Sequence, residues 1–181
     1  MGAWRRPTTI EDTATTNTCT IRPAASGDHG AIRALLTTAF DTTAEADLVE
    51  ALRRDGDVDT ELVAITADGA LVGHVLTSRM AAPFSAVALA PVAVDAAQRR
   101  RGIAAELIDA AIDKARRARG DAMIVLGDPA YYARFGFDAA CAAGFSSPYA
   151  GPYLMALALQ PGGLPVTRGK LAHAPAFAAL R

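Results

Sequence analysis

The sequence predicts a mixed α/β fold in which helices cover both faces of one central sheet. Its local patterns follow the order strand, two helices, three or four strands, long helix, strand, short helix and strand. This order differs from the regular strand–helix alternation that indicates an all-parallel sheet. With 181 residues, of which 51% are hydrophobic, the chain is long enough to bury one large core.

The first part of the chain predicts one strand and two helices. Segment 20–24 has the composition of a short strand, and apolar residues at helical spacing predict a helix over 26–40. Ser26 or Asp28 can serve as the N-cap of that helix. A second amphipathic pattern predicts a helix over 44–55, and the glycine just past its end is a typical stop signal.

Three strands are predicted next. Segments 61–66 and 70–80 have strand composition, and the Asp68-Gly69 pair between them is typical of a hairpin turn. The apolar segment 86–95 then predicts a long buried strand.

The second half contains the clearest helical pattern, over 102–120. A buried strand is predicted at 122–127, followed by a short helix over 128–135 with a proline in its first turn and Asp128 as its N-cap. A late strand is predicted at 153–160.

Composition divides the chain into an arm, a domain and an extension. Residues 1–19 are rich in threonine and predict a flexible N-terminal arm. Residues 20–160 contain the strand and helix patterns and predict one domain. Residues 161–181 are rich in glycine and proline and predict a loop-rich C-terminal extension packed on the same domain, with a short final helix at 175–180.

Charge and composition exclude several classes of function. The formal net charge is −1, so the chain lacks the overall basic field that favours nucleic acid or an anionic membrane. No apolar run approaches the roughly 18–20 residues of a membrane-spanning helix. Cys19 and Cys141 lie far apart and predict neither a disulfide framework nor a metal site, and Cys141 is expected to be a small buried residue. We therefore expect a cytoplasmic protein without nucleic-acid, membrane or metal partners.

A run of three arginines, 99–101, stands directly before Gly102 and the long helix. The first N–H groups of a helix have no partner inside the helix, and the helix dipole is positive there, so this end can bind phosphate. Glycine and the small residues 104 and 105 let a ligand approach the backbone closely. The pattern lacks the lysine of a P-loop and the glycines of a dinucleotide fingerprint. The alternative is an arginine-rich helix start that only faces solvent.

Pro91 lies within the long strand 86–95. Because proline cannot donate a hydrogen bond to a neighbouring strand, its position predicts a bulge or a splayed pair of strands, where backbone amides are free to meet a ligand. The alternative is an edge strand.

With these features in place, segment 92–104 resembles the signature of the GNAT superfamily of acyl-CoA N-acyltransferases. The core of that signature is Gln/Arg-x-x-Gly-x-Gly/Ala, matched here by Arg99, Gly102 and Ala104. Segment 127–137 resembles a second block of the family, in which Tyr-x-x-x-Gly-Phe recurs. Tyr132, Gly136 and Phe137 match that block.

The resemblance covers about residues 20–160, the order of elements agrees with it, and the second block is similar to a YhbS-like bacterial subgroup. It implies a GNAT-like fold with a mostly antiparallel sheet, splayed at the cofactor site. It also implies an enzyme that moves the acetyl group of acetyl-CoA to a primary amine by direct attack in a ternary complex. The acceptor would be a small molecule or a peptide, and a homodimer is the candidate assembly. The alternative is a catalytically weak domain that binds acyl-CoA as a sensor or interaction module.

The resemblance also implies roles for individual residues. Tyr132 matches the general acid that protonates the leaving thiolate, and Tyr131 is a pocket or cofactor contact. The backbone of the strand before the cradle would bind the pantetheine arm, the helix N-terminus would hold the pyrophosphate, and the arginines would flank the phosphates. The residues so assigned are Val92, Ala93, Val94, Arg99, Arg100, Arg101, Gly102, Ile103, Ala104 and Ala105.

The general base is left open by the sequence. Many members of the family carry a carboxylate on the strand before the cradle, whereas strand 86–94 has none. The candidates are Glu45, Asp47, His74 or a chain of water molecules, although a single histidine within a strand is more often structural. The acidic residues in 37–56 suit a cationic amine but equally fit a solvated helix face.

Overall fold

The structure is a computed structural model that describes residues 19–180. A six-stranded sheet forms its centre, in the order β1-β2-β3-β4-β5-β7, and all neighbouring strands are antiparallel except the parallel pair β4 and β5. The strands of this sheet are β1 (Thr20–Pro23), β2 (Val58–Ile65), β3 (Leu71–Arg79), β4 (Ala86–Val94), β5 (Ala122–Leu126) and β7 (Leu154–Ala158). A second, two-stranded sheet pairs β6 (Phe145–Ser146) with β8 (Gly169–Lys170).

Helices cover both faces of the central sheet, as predicted. They are α1 (His29–Phe40), α2 (Ala44–Asp55), α3 (Ile103–Arg117), α4 (Pro129–Tyr132) and α5 (Ala139–Ala142). The apolar stripe of α3 packs on one face, and the buried residues of α1 and α2 pack on the other. The mixed α/β fold class is therefore confirmed.

Close contact between α3 and the sheet depends on Gly73 in β3. A Cβ atom at this position would lie 2.9 Å from Cδ1 of Leu107 and 3.0 Å from Cγ2 of Ile103. Carbon atoms in ordinary contact are about 3.5–4.0 Å apart. The absence of a side chain on Gly73 thus sets how closely the long helix approaches.

The sheet opens between β4 and β5, beside Pro91. These strands pair only through residues 86–88 and 122–124. Beyond this point β4 continues along β3, and β5 continues along β7. The register between β3 and β4 slips here, so that Ala90 and Pro91 together face Leu76. The predicted bulge and the predicted splay are both confirmed, and the edge-strand alternative is wrong because β4 lies between β3 and β5.

Two local predictions differ from the structure. Asp28 occupies the N-cap position of α1, but neither its side chain nor that of Ser26 makes a capping hydrogen bond. Residues 26–28 form a 3-10 turn, and the Asp28 carboxylate instead accepts hydrogen bonds from the Ala25 N–H and the Arg22 guanidinium. Cys141 is exposed rather than buried, because the short helix α5 turns its neighbour Ala142 toward the core.

The C-terminal extension ends in a 3-10 helix over Pro175–Leu180, close to its predicted place. Phe177 on this helix is buried against the α1 and α2 face of the core. The predicted N-terminal arm lies outside the described residues, apart from Cys19. Within residues 19–180, none of the helices has the length and apolar character that crossing a membrane requires.

Candidate active site

A cavity of about 540 Å³ lies where β4 and β5 separate. Its floor is the diverging part of the sheet, including Pro91 and Ile124, and Tyr132 forms part of one wall. The other walls come from the start of α2 and from the C-terminal segment. Those walls are Phe40, Thr42, Ala44, Glu45 and Leu48 on one side and Tyr149, His173, Phe177 and Leu180 on the other.

Tyr132 is placed at the cavity by the short helix α4. The Asp128 carboxylate accepts a hydrogen bond from the Ala130 N–H at 2.9 Å, which confirms it as the N-cap. The Tyr132 ring packs edge-on against Phe137 and Tyr131, with centroid distances of 5.8 and 5.1 Å. Burial raises the pKa of the Tyr132 hydroxyl, and the neighbouring Tyr131 adds to the effect. The hydroxyl is therefore protonated at neutral pH and can act as a proton donor.

Gly127, directly before α4, lets the Tyr132 ring approach the backbone. A Cβ atom on Gly127 would overlap Cε2 of Tyr132 and lie 2.9 Å from its Cδ2. The Gly127 N–H also donates to the Tyr153 carbonyl at 3.0 Å, which fixes this turn to the end of β7. The position of the tyrosine thus depends on a glycine that the sequence reasoning did not single out.

A second cavity, of about 410 Å³, lies at the N-terminus of α3. Gly102, the N-cap residue of α3, has a φ of 84°, a left-handed conformation that favours glycine. Gly102 forms part of the cavity wall, and the other wall residues are Val94, Gln98, Arg99, Arg100, Ile103, Ala104, Ala105, Tyr131 and Arg134. Arg101 does not line this cavity; its charge acts instead on Cys19.

Arg134 belongs to this second cavity and was missed by the sequence reasoning. Its guanidinium carbon lies 4.3 Å from the centroid of the Tyr131 ring, and its Nε donates to the Tyr131 carbonyl at 2.9 Å. In the sequence, the only indication that Arg134 belongs to this cavity was its position three residues after Tyr131 in the predicted short helix. With Arg99 and Arg100 it gives the cavity three guanidinium groups and no carboxylate among the described wall residues.

A smaller cavity of about 290 Å³ joins the other two. It shares Val94, Arg99 and Ala104 with the cavity at α3, and Phe40 and Val92 with the cavity at Tyr132. Along this stretch, the edge of β4 that faces away from β3 has no strand partner among the described residues. The three cavities therefore lie in series, with shared wall residues, and mark a path from the start of α3 to Tyr132.

His74, a candidate base, is held in a buried ionic cluster away from this path. Its Nε2 lies 2.8 Å from Oε1 of Glu61, which also accepts a hydrogen bond from Arg53 at 2.5 Å. Burial alone would raise the pKa of the Glu61 carboxyl, but the two hydrogen bonds outweigh it and lower the pKa to about 2. His74 is fully buried, and this placement agrees with the structural role expected of it.

The acidic residues of α2 separate into two groups. Asp47 and Glu50 both pair with Arg33 at 2.8 Å on the exposed helix face. Glu45, by contrast, lines the cavity at Tyr132 and accepts a hydrogen bond from Thr42 at 3.0 Å. Of the two candidate bases on α2, only Glu45 faces the path.

Comparisons with known proteins agree with this arrangement. The sequence profile of the acetyltransferase (GNAT) family matches residues 29–137. An uncharacterized N-acetyltransferase of Escherichia coli K12, YhbS, is 39% identical over 116 residues, which cover 62% of this chain and 70% of that protein.

Two solved structures have closely similar folds. The E. coli YhbS acetyltransferase in complex with CoA has a TM-score of 0.82 at 32% identity, covering 88% of this chain and 92% of the other. A GNAT acetyltransferase of Brucella melitensis in complex with acetyl-CoA has a TM-score of 0.75 at 30% identity, covering 89% and 99%. The fold implied by the two sequence motifs is confirmed.

Proposed function

The chain belongs to the GNAT family of acetyltransferases, and we propose that it transfers the acetyl group of acetyl-CoA to a primary amine by direct attack in a ternary complex. One observation carries this proposal. The path from the arginine-rich start of α3 leads along a free strand edge to the cavity that Tyr132 lines. The similar structures from E. coli and B. melitensis were solved with CoA and acetyl-CoA, which supports the same ligand here.

The residues at the start of α3 fit a pyrophosphate. The first backbone N–H groups of the helix, from Ile103 to Ala105, lack partners inside the helix and face a cavity with positive wall charges. A side chain on Gly102 would adopt a strained backbone conformation at the entrance. Arg99 and Arg100 were assigned to the phosphates, and Arg134 joins them, whereas Arg101 would have to change its position to contribute.

The free edge of β4 fits the pantetheine arm. Val92, Ala93 and Val94 pair with β3 on one side and have no strand partner on the other among the described residues, although Arg99 Nε donates to the Val94 carbonyl at 3.4 Å. Backbone groups on that side can bond an extended amide chain as an added strand would. Acetyl-CoA, when bound, supplies a thioester whose carbonyl carbon accepts the amine nitrogen and whose sulfur departs.

Tyr132 is the general acid in this proposal. Its raised pKa keeps the proton on the hydroxyl until negative charge develops on the sulfur. Among the described residues its hydroxyl has no hydrogen-bond partner, so no acceptor within that part of the protein competes with the sulfur for the hydroxyl proton.

Release of free thiol from acetyl-CoA over a panel of amines tests the proposal. Tyr132→Phe should lower kcat by about 10²-fold, because a general acid contributes about 10²–10⁴-fold. The Kd for coenzyme A should stay unchanged. Tyr153→Phe is the matched control, since that ring is 60% exposed. Gly102→Glu should instead weaken coenzyme A binding.

Full turnover in Tyr132→Phe would refute the general-acid role. Binding of acetyl-CoA without transfer to any amine in the panel would favour the sensor function instead.

A further inference from the structure

The walls of the cavity at Tyr132 are mainly apolar and aromatic. Apart from the floor, most of its contact surface comes from apolar or aromatic side chains, including Phe40, Leu48, Phe177 and Leu180. An acceptor with an apolar body gains binding free energy when its apolar surface is buried here. A polyamine or a polar peptide would lose its hydrogen bonds to water without forming new ones to these walls. The walls therefore favour an amine attached to an apolar body.

Glu45 is the one carboxylate among the described residues that line this cavity. No arginine or lysine of the described chain pairs with it, unlike Asp47 and Glu50, whose charges are met by Arg33. Among residues 19–180, its only polar side-chain contact is the hydroxyl of Thr42. An ammonium group entering from this side would meet an unneutralised negative charge.

His173 lies on the C-terminal wall and has a polar atom without a partner. Its ring packs edge-on against Tyr149 at 4.9 Å and against Phe177 at 5.0 Å between centroids. Its Nδ1 is buried and has no hydrogen-bond partner among the described residues. A buried ring nitrogen left unpaired is unfavourable. The ring itself lines the cavity at Tyr132, where an entering ligand would meet it.

The protonation state of His173 suits proton acceptance. Burial lowers the pKa of the imidazole, so it is neutral at pH 7. The titratable groups on the walls that face it are Tyr149, Tyr132 and Glu45, and no cation is among them. The 3-10 helix packed against it contributes only apolar side chains to these walls.

We propose that the acceptor is a primary amine on an apolar, ring-sized body, that Glu45 attracts its ammonium group, and that His173 accepts the proton that the nitrogen loses during attack. This inference rests on the proposed acetyl transfer. The bound ammonium first loses one proton to solvent, which frees the lone pair of the nitrogen. As the N–C bond forms and the C–S bond breaks, a second proton passes from the nitrogen to His173, and Tyr132 gives its proton to the sulfur. The C-terminal extension thereby supplies a catalytic residue.

The substrate class is tested by thiol release with 2-phenylethylamine, propylamine, spermidine and an alanine tripeptide. The ring-bearing amine should exceed propylamine in kcat/KM by about tenfold or more, because its ring is buried on binding. Spermidine and the tripeptide should be poorer still. Equal kcat/KM values for the four amines would overturn the proposed class.

Glu45→Gln should raise the KM for 2-phenylethylamine by about fivefold and change kcat by less than about twofold, as expected for a half-exposed ion pair. Glu50→Gln is the matched control on the same helix and should change neither value. An unchanged KM in Glu45→Gln would contradict the role of Glu45.

His173→Gln should lower kcat by about 10²-fold without changing the Kd for coenzyme A. It should also abolish the fall in kcat that the wild type shows as His173 becomes protonated below neutral pH. His29→Gln, on the exposed start of α1, is the control. His173→Asn gives a second variant, and coenzyme A binding shows that each protein is folded.

The outcomes separate this inference from the proposed function. Wild-type protein that binds acetyl-CoA but acetylates no amine would overturn both. Transfer by the wild type together with an unchanged kcat and pH profile in His173→Gln and His173→Asn would overturn the role of His173 alone.

Discussion

Gly127→Ala should impair catalysis while leaving the cofactor site intact. The φ of Gly127 lies outside the left-handed region, so alanine fits the backbone there and the effect comes from the added methyl group. That methyl carbon would lie 2.9 Å from Cδ2 of Tyr132, and closer to Cε2. Ordinary carbon contacts are about 3.5–4.0 Å, so the ring must retreat by about 1 Å.

The size of the effect follows from this displacement. Phe137 and Tyr131 pack edge-on against the ring, so a retreat of the ring from residue 127 also disturbs its packing and its place in the cavity. A displacement of about 1 Å at a reacting group can cost about 10²-fold in rate. This corresponds to about 2.7 kcal/mol of activation free energy.

The assay is thiol release at saturating acetyl-CoA and amine, together with the Kd for coenzyme A. We expect kcat to fall by about 10²-fold and the Kd to stay constant, because the cavity at α3 is formed by other residues. Gly30→Ala is the matched control, since a Cβ there meets nothing within 4 Å. A wild-type kcat in Gly127→Ala would refute the claim that this glycine positions Tyr132.

Two further predictions concern stability. Gly73→Ala should lower the free energy of unfolding by about 1–3 kcal/mol, because its methyl group would lie 2.9 Å from Leu107; urea unfolding measures this, and an unchanged midpoint would contradict it. The pKa of Glu61 is about 2 in the folded protein and 4.5 in a free chain, so its stabilising effect is complete above pH 4.5 and is lost as the pH falls toward 2. Urea unfolding at pH 6 and pH 3 should show a loss in the wild type that is smaller in Glu61→Gln, and equal losses would show that the buried cluster does not depend on this carboxylate.

Local sequence patterns predicted most of the fold and the segment that lines the cavity at the start of α3. The helix at α3 follows from its apolar periodicity, and the opening of the sheet from one proline, Pro91, which cannot donate a ladder hydrogen bond. Each signal lies within about ten residues of the structure that it produces. The motif 99–104 is local in the same sense, because a helix N-terminus gathers its own backbone donors.

Features that depend on distant contacts could not be predicted in this way. Glu61 and His74 carry no sign in the sequence that they form one buried cluster with Arg53. Cys141 was expected to be buried from its type, whereas its exposure depends on which side of a one-turn helix faces the core. The role of Gly127 depends on where a ring five residues later folds back.

The two halves of the site differ in how the chain encodes them. The half proposed for coenzyme A is built mainly from one contiguous segment, 92–105, joined by Tyr131 and Arg134. The half proposed for the acceptor is assembled from four segments far apart in sequence, at 40–48, 88–92, 124–132 and 149–180. Because the C-terminal segment contributes to the second half and not to the first, substitutions there can change which amine binds without altering the phosphate cradle. The same separation explains why the arginine run indicates a cofactor, while the residues proposed to select the amine, such as Phe177 and Leu180, are brought to the cavity only in the folded chain.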